Sequence, residues 1–299
     1  MSILVTGANG FIGGRLIEHL ENLDMECVGT SKSISKKQNF RQFNLLSNKG
    51  HLDLVSGVDC VVHCAAAVHG STKDDNEFYQ INVDATLKLA RACVQSTSVK
   101  RFIFLSTIKV NGEATHGKAF TPDDVPRPAD SYAKTKHLAE QCLTNLFRGT
   151  SVSLVIIRVP LVHGPGVKGN LAKLDRMLRL KVPLPIQNLS QNRRSVVSIE
   201  NLVGFITLCI HHDNANNEIF FVKDGNDLNT YDIFLLMAHN NGLEIISFPF
   251  PRFIIILLLY LFLGRGAVEK LFGSLQVDCS KSYDLLGWVP NGSQKSTNP

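Results

Sequence analysis

Residues 6–13 read Thr-Gly-Ala-Asn-Gly-Phe-Ile-Gly, directly after the apolar run Ile3-Leu4-Val5 and directly before a helical pattern. No other feature of the chain restricts its fold as much. Between a strand and a helix, the first glycine of such a turn permits the tight bend. The second lets backbone approach a pyrophosphate at the helix N-terminus, and the third allows close helix–strand packing. Gly7, Asn9, Gly10, Phe11 and Ile12 are therefore the expected contacts to a dinucleotide diphosphate.

The rest of the first half repeats the same unit. Short β-rich runs at 2–6, 26–30, 60–64, 101–106 and 153–158 alternate with helical stretches at 11–22, 77–95 and 132–146. Within 77–95, Ile81, Ala85, Leu89 and Ala92 recur at spacings of three and four, a buried helical stripe. The alternation predicts an α/β fold: a Rossmann-type doubly wound parallel sheet with helices on both faces. Past residue 160 the pattern changes to helices at about 169–180, 199–211 and 231–240 between Pro- and Asn-rich turns. The expected organisation is a dinucleotide-binding domain over 1–160, a smaller, mostly helical substrate lobe over 161–290 interleaved with it, and a disordered polar tail over 291–299.

Composition narrows the function classes. With 44 % hydrophobic and 19 % charged residues, the 299-residue chain is no disordered protein. A net charge of +5 suits anionic small molecules and falls short of a nucleic-acid footprint, so no nucleic-acid partner is expected. The seven cysteines are scattered and contain no CxxC pair, and no histidine pair has ligand spacing beside a carboxylate. Neither a disulfide framework nor a metal site is expected. The glycine turn begins by residue 7, which leaves no room for a signal peptide and points to the cytoplasm.

One run stands apart. Residues 253–263, FIIILLLYLFL, would form a helix of about 16 Å, against roughly 30 Å of bilayer hydrocarbon. Two readings stay open for it. One is a helix packed in the lobe or in a dimer interface; the other is a membrane-surface contact that would place the protein at the inner face of a membrane.

Tyr132 and Lys136 stand at i and i+4, which on a helix puts a phenol and an ammonium on one face. A free tyrosine titrates near 10, and acid–base work near neutral pH needs it lowered by about three units. A close Lys136 ammonium together with an oxidised nicotinamide is expected to supply that shift.

The motif TGANGFIG at 6–13, the Tyr132/Lys136 pair and the strand end Leu105-Ser106-Thr107 resemble the extended short-chain dehydrogenase/reductase family. The likeness is to its nucleotide-sugar branch, of the UDP-glucose 4-epimerase type. It runs through Asn82-Val83-Asp84-Ala85-Thr86, residues 158–166 and the closing Leu285-Leu286-Gly287-Trp288. The resemblance implies that Thr107 polarises the substrate oxygen beside Tyr132 while Lys136 holds the nicotinamide ribose. It implies Asn44 and Leu45 beside the adenine, and Ala65, Ala66 and Val162 along the cofactor. Asn82 lies near the cofactor-binding strands in a binding or a structural role, and His163 stands near the nicotinamide where the family has Tyr. Asn170, Arg193 and Arg194 are implied to bind the diphosphate of a UDP-sugar. A homodimer through the Tyr132 helix and the helix before it is implied as well.

Two departures from the family pattern matter. The second strand ends in Ser31-Lys32 without a carboxylate, which tilts the cofactor toward NADP over NAD. Ile108 and Lys109 stand where the family's 4,6-dehydratases carry Asp-Glu, which argues against dehydration. The expected activity is hydride transfer at C4 of a UDP-sugar, as a 4-epimerase in nucleotide-sugar or surface-polysaccharide synthesis. The alternative is an NADPH-dependent 4-keto-6-deoxy-sugar reductase acting on a UDP-N-acetylhexosamine derivative. A dehydrogenase for a lipophilic alcohol would not need Asn170 and Arg194, and a non-catalytic cofactor sensor would not need Thr107, Tyr132 and Lys136.

Overall fold

The computed structural model describes residues 1–32, 39–68, 74–167, 178–181, 183–187, 189, 191–240, 242–263 and 265–292. Asn170, most of the helix expected over 169–180, and the tail from 293 lie outside them.

The apolar runs form strands within a residue of the expected bounds. β1 (Ile3–Thr6), β2 (Cys27–Ser31), β3 (Phe40–Gln42), β4 (Cys60–His63), β5 (Arg101–Thr107), β6 (Ser153–Val159) and β9 (Ile219–Phe221) make one parallel sheet. Its order is β3-β2-β1-β4-β5-β6-β9, so the winding reverses between β1 and β4. Crevices for ligands open at such a reversal, at the C-terminal strand ends. β7 (Leu161–His163) and β8 (Val196–Ser198) pair separately, also in parallel.

Because side chains alternate along a strand, the sheet has two apolar faces. Ile3, Val5, Ile103 and Leu105 pack with Leu16 and Leu20 of α1 (Phe11–Asn22) and Leu202 and Phe205 of α6 (Ile199–His211). Leu4, Phe102 and Phe104 pack on the other side with Leu89 and Cys93 of α4 (Thr86–Gln95) and Ala139 and Leu143 of α5 (Ser131–Phe147). Two short helices, α2 (His51–Val55) and α3 (Asp75–Tyr79), complete this half. From the second half of the chain, α6 and β9 complete the first sheet. A smaller core around Leu184, Ile186, Ile233 and Met237 gathers α7 (Thr230–Asn240), with Leu271 and Phe272 of α9 (Arg265–Phe272) against it. The long apolar run forms α8 (Arg252–Leu263), and α10 (Ser280–Leu286) closes the described chain.

The helix expected over 77–95 starts at Asp75 and is interrupted by a π-helical stretch, Gln80–Ala85. There the buried Asn82 accepts the Ala67 N–H at 2.8 Å and donates to Ala67 O and Thr135 Oγ1, each at 3.1 Å. It ties the loop after β4 to α5, the structural role left open by the sequence. A second tie is ionic: Arg158 of β6 meets Glu140 of α5 at 2.7 Å. Arg158 also donates to Asn111 Oδ1 at 3.0 Å. Burial works against the Glu140 charge, but His137 and the Arg158 guanidinium hold its carboxyl below the usual range.

Gly13 lets α1 lie on the turn it follows, since an added Cβ would fall 2.5 Å from Gly7 O. Gly13→Ala is expected to cost about 1–3 kcal/mol in urea unfolding, the range for overpacking. An unchanged midpoint would refute this close approach.

Candidate active site

The C-terminal ends of β1, β4 and β5 meet beside the reversal of winding. Gly7 takes φ +66°, and an added Cβ would lie 2.8 Å from Ala65 Cα and N. Conformation and contact both demand glycine there. The turn closes with Gly10 N–H donating to Gly7 O at 2.7 Å. α1 then begins with no side-chain cap and no acidic residue in its first turn. Its N-terminal N–H groups and dipole are left to an anion. Asn9 Nδ2 donates to Ser31 Oγ at 2.7 Å, joining the turn to the end of β2. Ala65 N–H donates to Thr6 Oγ1 at 3.2 Å, and Ala66 is half-buried between Ala65 and the Asn82-held Ala67. A backbone-lined turn at the reversal point fits a dinucleotide diphosphate.

The three expected catalytic residues come together next to this turn. Thr107 ends β5 and is paired with Val159 of β6. Asp130 caps α5, accepting the Ala133 N–H at 2.8 Å, so that Tyr132 falls in the first turn and Lys136 in the next. The Thr107 hydroxyl hydrogen-bonds with the Tyr132 phenol. Lys136 is 1 % exposed, with Nζ 3.8 Å from the centroid of the Phe104 ring. Its charge is felt at His63 and Cys64, at the end of β4 and one step from the Gly7–Ala65 contact.

The electrostatics differ from the sequence expectation. Burial pushes the Lys136 ammonium down to about 7, with Glu140 and Cys64 opposing the shift. Burial also pushes the Tyr132 phenol up to about 12; the Asp130 carboxylate adds to this and the Thr107 hydrogen bond works against it. The ammonium expected to acidify the phenol is thus itself readily deprotonated, and the protein's own groups raise the tyrosine rather than lower it. His63 is pushed down to about 3 by burial and by Lys136, and its nitrogens engage Thr6 Oγ1 at 2.8 Å and Thr86 Oγ1 at 2.9 Å. It is a neutral packing residue.

A charged chain runs outward from α5. Lys109 Nζ meets Asp130 at 2.7 Å and Glu113 at 3.0 Å. Glu113 in turn counteracts the burial that lowers the Arg194 guanidinium. Arg194 Nη1 donates to Gly273 O at 3.0 Å, while Arg193 is exposed and its backbone N–H donates to Ser274 Oγ at 3.0 Å. Sequence reasoning missed Asp130 and Glu113. Asp130 was findable, because an Asp just before a helical run is an N-cap signal.

The remaining expected contacts are placed as follows. Lys32 follows β2, and its carbonyl accepts from Gln42 Nε2 at 3.2 Å. Asn44 is exposed, with Oδ1 accepting the Leu46 N–H at 3.1 Å, and the Leu45 carbonyl faces His51 Nε2 at 3.1 Å. Val162 pairs in register with Val197 and packs on the main core. His163 Nε2 lies 2.9 Å from Asp224 Oδ2, so a lobe carboxylate holds the ring. Among the described residues, no group of three or more His, Cys, Asp or Glu could hold a metal.

A glycine turn at the crossover of a parallel sheet, with Thr, Tyr and Lys converging on it, defines a dinucleotide-binding enzyme of the dehydrogenase/reductase type. The sequence pattern of the NAD dependent epimerase/dehydratase family matches residues 3–222, and the chain belongs to that family. It is 37 % identical over 303 residues to a UDP-glucose 4-epimerase of Vibrio cholerae, covering 97 % of this chain and 90 % of that protein. It is 26 % identical to the N-acetyl-α-D-glucosaminyl-diphospho-ditrans,octacis-undecaprenol 4-epimerase of Escherichia coli O157:H7, covering 84 % of this chain and 75 % of that one. In fold it is similar to UDP-glucuronic acid 4-epimerase from Bacillus cereus, solved with UDP-glucuronic acid and NAD. That similarity has a TM-score of 0.76 at 23 % identity and covers 98 % and 95 % of the two chains.

The buried lysine makes a testable demand. Its ordinary value is 10.5 and its folded value about 7, so between these pH values the unfolded chain binds more protons at this site than the folded one. The site's contribution to stability therefore rises with pH across that window. Lys136→Met is expected to be inactive yet more stable than the parent at pH 7, by about 2–4 kcal/mol. The gap should close toward pH 10, as read from urea unfolding at several pH values; a variant less stable than the parent at pH 7 contradicts the assignment.

Proposed function

We propose that the protein is an NAD(P)-dependent UDP-sugar 4-epimerase. The observation that carries this reading is the convergence of Thr107, Tyr132 and Lys136 on the loop beside Gly7, in a chain similar over nearly its whole length to a UDP-glucose 4-epimerase. Gly7, Asn9, Gly10, Phe11 and Ile12 would hold the dinucleotide diphosphate. Ser31, Lys32, Asn44 and Leu45 would hold its adenosine end, with Ala65, Ala66 and Val162 along it. When bound, the nicotinamide supplies a hydride acceptor and donor for sugar C4, and in its oxidised form a positive charge near the phenol. Tyr132 takes the C4 hydroxyl proton and later returns it. Thr107 polarises the same oxygen through its hydroxyl, and Lys136 holds the nicotinamide ribose. Asn170, Arg193 and Arg194 bind the UDP diphosphate, the guanidinium forks suiting phosphate oxygens. Turnover of the 4-keto sugar within the site inverts C4 with no net oxidation.

Lys109 is held between two carboxylates, which leaves no acid–base pair there for removing water. In this reading residues 1–160 bind the cofactor and 161–290 form the substrate lobe. The protein works in the cytoplasm, where the exposed run over α8 can meet the inner face of a membrane. Two copies pair through α4 and α5, whose half-buried Leu87, Val94, Leu138 and Cys142 suit a helix–helix contact. One observation favours a second reading: the end of β2 carries Ser31-Lys32 and no carboxylate, which suits NADPH and a 4-keto-sugar reductase.

Purified protein given UDP-glucose without added cofactor is expected to yield UDP-galactose. Stoichiometric consumption of NADPH with a UDP-4-keto-6-deoxy-N-acetylhexosamine would instead establish the reductase, and mass spectrometry of the denatured supernatant identifies the retained nucleotide. Tyr132→Phe is expected to lower turnover by about 10²–10⁴-fold. Undiminished turnover in that variant removes the phenol from the mechanism.

A further inference from the structure

The fold covers little of α8. Ile255 is buried, whereas Phe253 is 72 % exposed, Phe262 78 %, and Leu257, Leu258, Tyr260 and Leu261 are exposed with them. At 3.6 residues per turn these six positions span roughly 200° of the helix circumference. Ile246 and Phe248, on the stretch leading into α8, are exposed as well. A contiguous apolar surface of this kind marks an interaction site. Twelve residues make about 18 Å of helix, too short for roughly 30 Å of hydrocarbon. Among the described residues no helix is long and apolar enough to cross a membrane.

Charge selects the occupant. The segments that meet in the lobe core through Leu178, Ile245, Leu271 and Phe272, residues 178–181, 242–263 and 265–272, contain in sequence Arg179, Lys181, Arg252, Arg265 and Lys270 against Glu244 and Glu269. They therefore hold three of the chain's five net positive charges in a small part of its length. Arg252 opens α8, where a cation opposes the helix dipole, so helix stability does not account for it. Its guanidinium hydrogen-bonds to Gln191 and lies 5.1 Å from the Phe272 ring centroid, which fixes the basic end of the helix to the lobe. A second copy would set this positive surface against itself; an anionic bilayer complements it.

We propose that α8 seats the protein on an anionic lipid surface, with its exposed apolar side chains in the headgroup and upper acyl region and the flanking cations drawn to lipid phosphates. This goes beyond the epimerase reading and does not depend on it. The test is flotation of the full chain with vesicles of phosphatidylglycerol and phosphatidylcholine, beside vesicles of phosphatidylcholine only. The protein is expected to float with the mixed vesicles, less so as salt rises. Phe253→Asp with Phe262→Asp should weaken binding more than about tenfold, and Arg252→Gln by about fivefold. Turnover of a soluble UDP-sugar is read in the same samples and should be unchanged in the double variant, which separates this proposal from the catalytic one. Absence of flotation, or equal binding to both vesicle types, overturns the proposal. So does a dimer in sedimentation that the double variant dissociates without any vesicle binding, for α8 would then be a self-interface.

Discussion

Gly7 and Ala65 meet where no Cβ could fit, and the position of every other part of the site follows from that contact. β1 and β4 are neighbours in a parallel sheet, so the turn after one and the loop after the other leave the same edge at the same height. Asn82 holds the loop after β4 to α5, and Lys136 of α5 lies over Phe104 of β5. Backbone turn, loop and α5 are thus bound in one hydrogen-bonded and packed unit. A larger residue at position 7 would push Ala65 away and, through Ala67 and Asn82, would disturb α5 as well.

The same packing that positions the proposed catalytic groups also sets their charges. Lys136 is buried beneath the site, so its ammonium is held near the edge of deprotonation at neutral pH. Tyr132, half-buried and desolvated beside the Asp130 carboxylate, favours its neutral form. Lys109 bonds to that Asp130, and through Glu113 the network reaches Arg194. The charges around α5 and that of Arg194 thus face one another across the short segment after β5. A phenol that stays protonated until a positive group arrives suits an enzyme whose base should act only in the assembled complex.

The parts of the fold built from repeated local patterns were legible in the sequence. β1, β4, β5 and β6 are continuous apolar runs, and α1 and α5 have clear periodicity, so their bounds fall within a residue or two of those expected. Strands of three residues, β3, β7, β8 and β9, contain no period to read. The π stretch at Gln80–Ala85 follows from where Asn82 finds partners, which are distant in sequence. The site divides in the same way. Gly7, Thr107, Tyr132 and Lys136 announce themselves by spacing. Burial, which no spacing encodes, decides that Lys136 is depressed and Tyr132 raised. His163 could be placed in the sequence, but its partner Asp224, beyond β9, could not.

For α8 the composition left open a helix packed in the lobe or in a dimer interface and a membrane-surface contact, and solvent exposure argues against packing in the lobe. A helix packed into the lobe would bury a stripe at spacings of three and four, yet Ile255 is the buried side chain among those described in its interior. The rest of the lobe core closes without it, around Leu184, Ile186, Ile233 and Met237. The run therefore adds little to folding while exposing apolar side chains to water, a cost that an external partner would remove. Its attachment through Arg252 to Gln191, two residues before Arg193, sets that exposed surface beside the stretch expected to bind diphosphate.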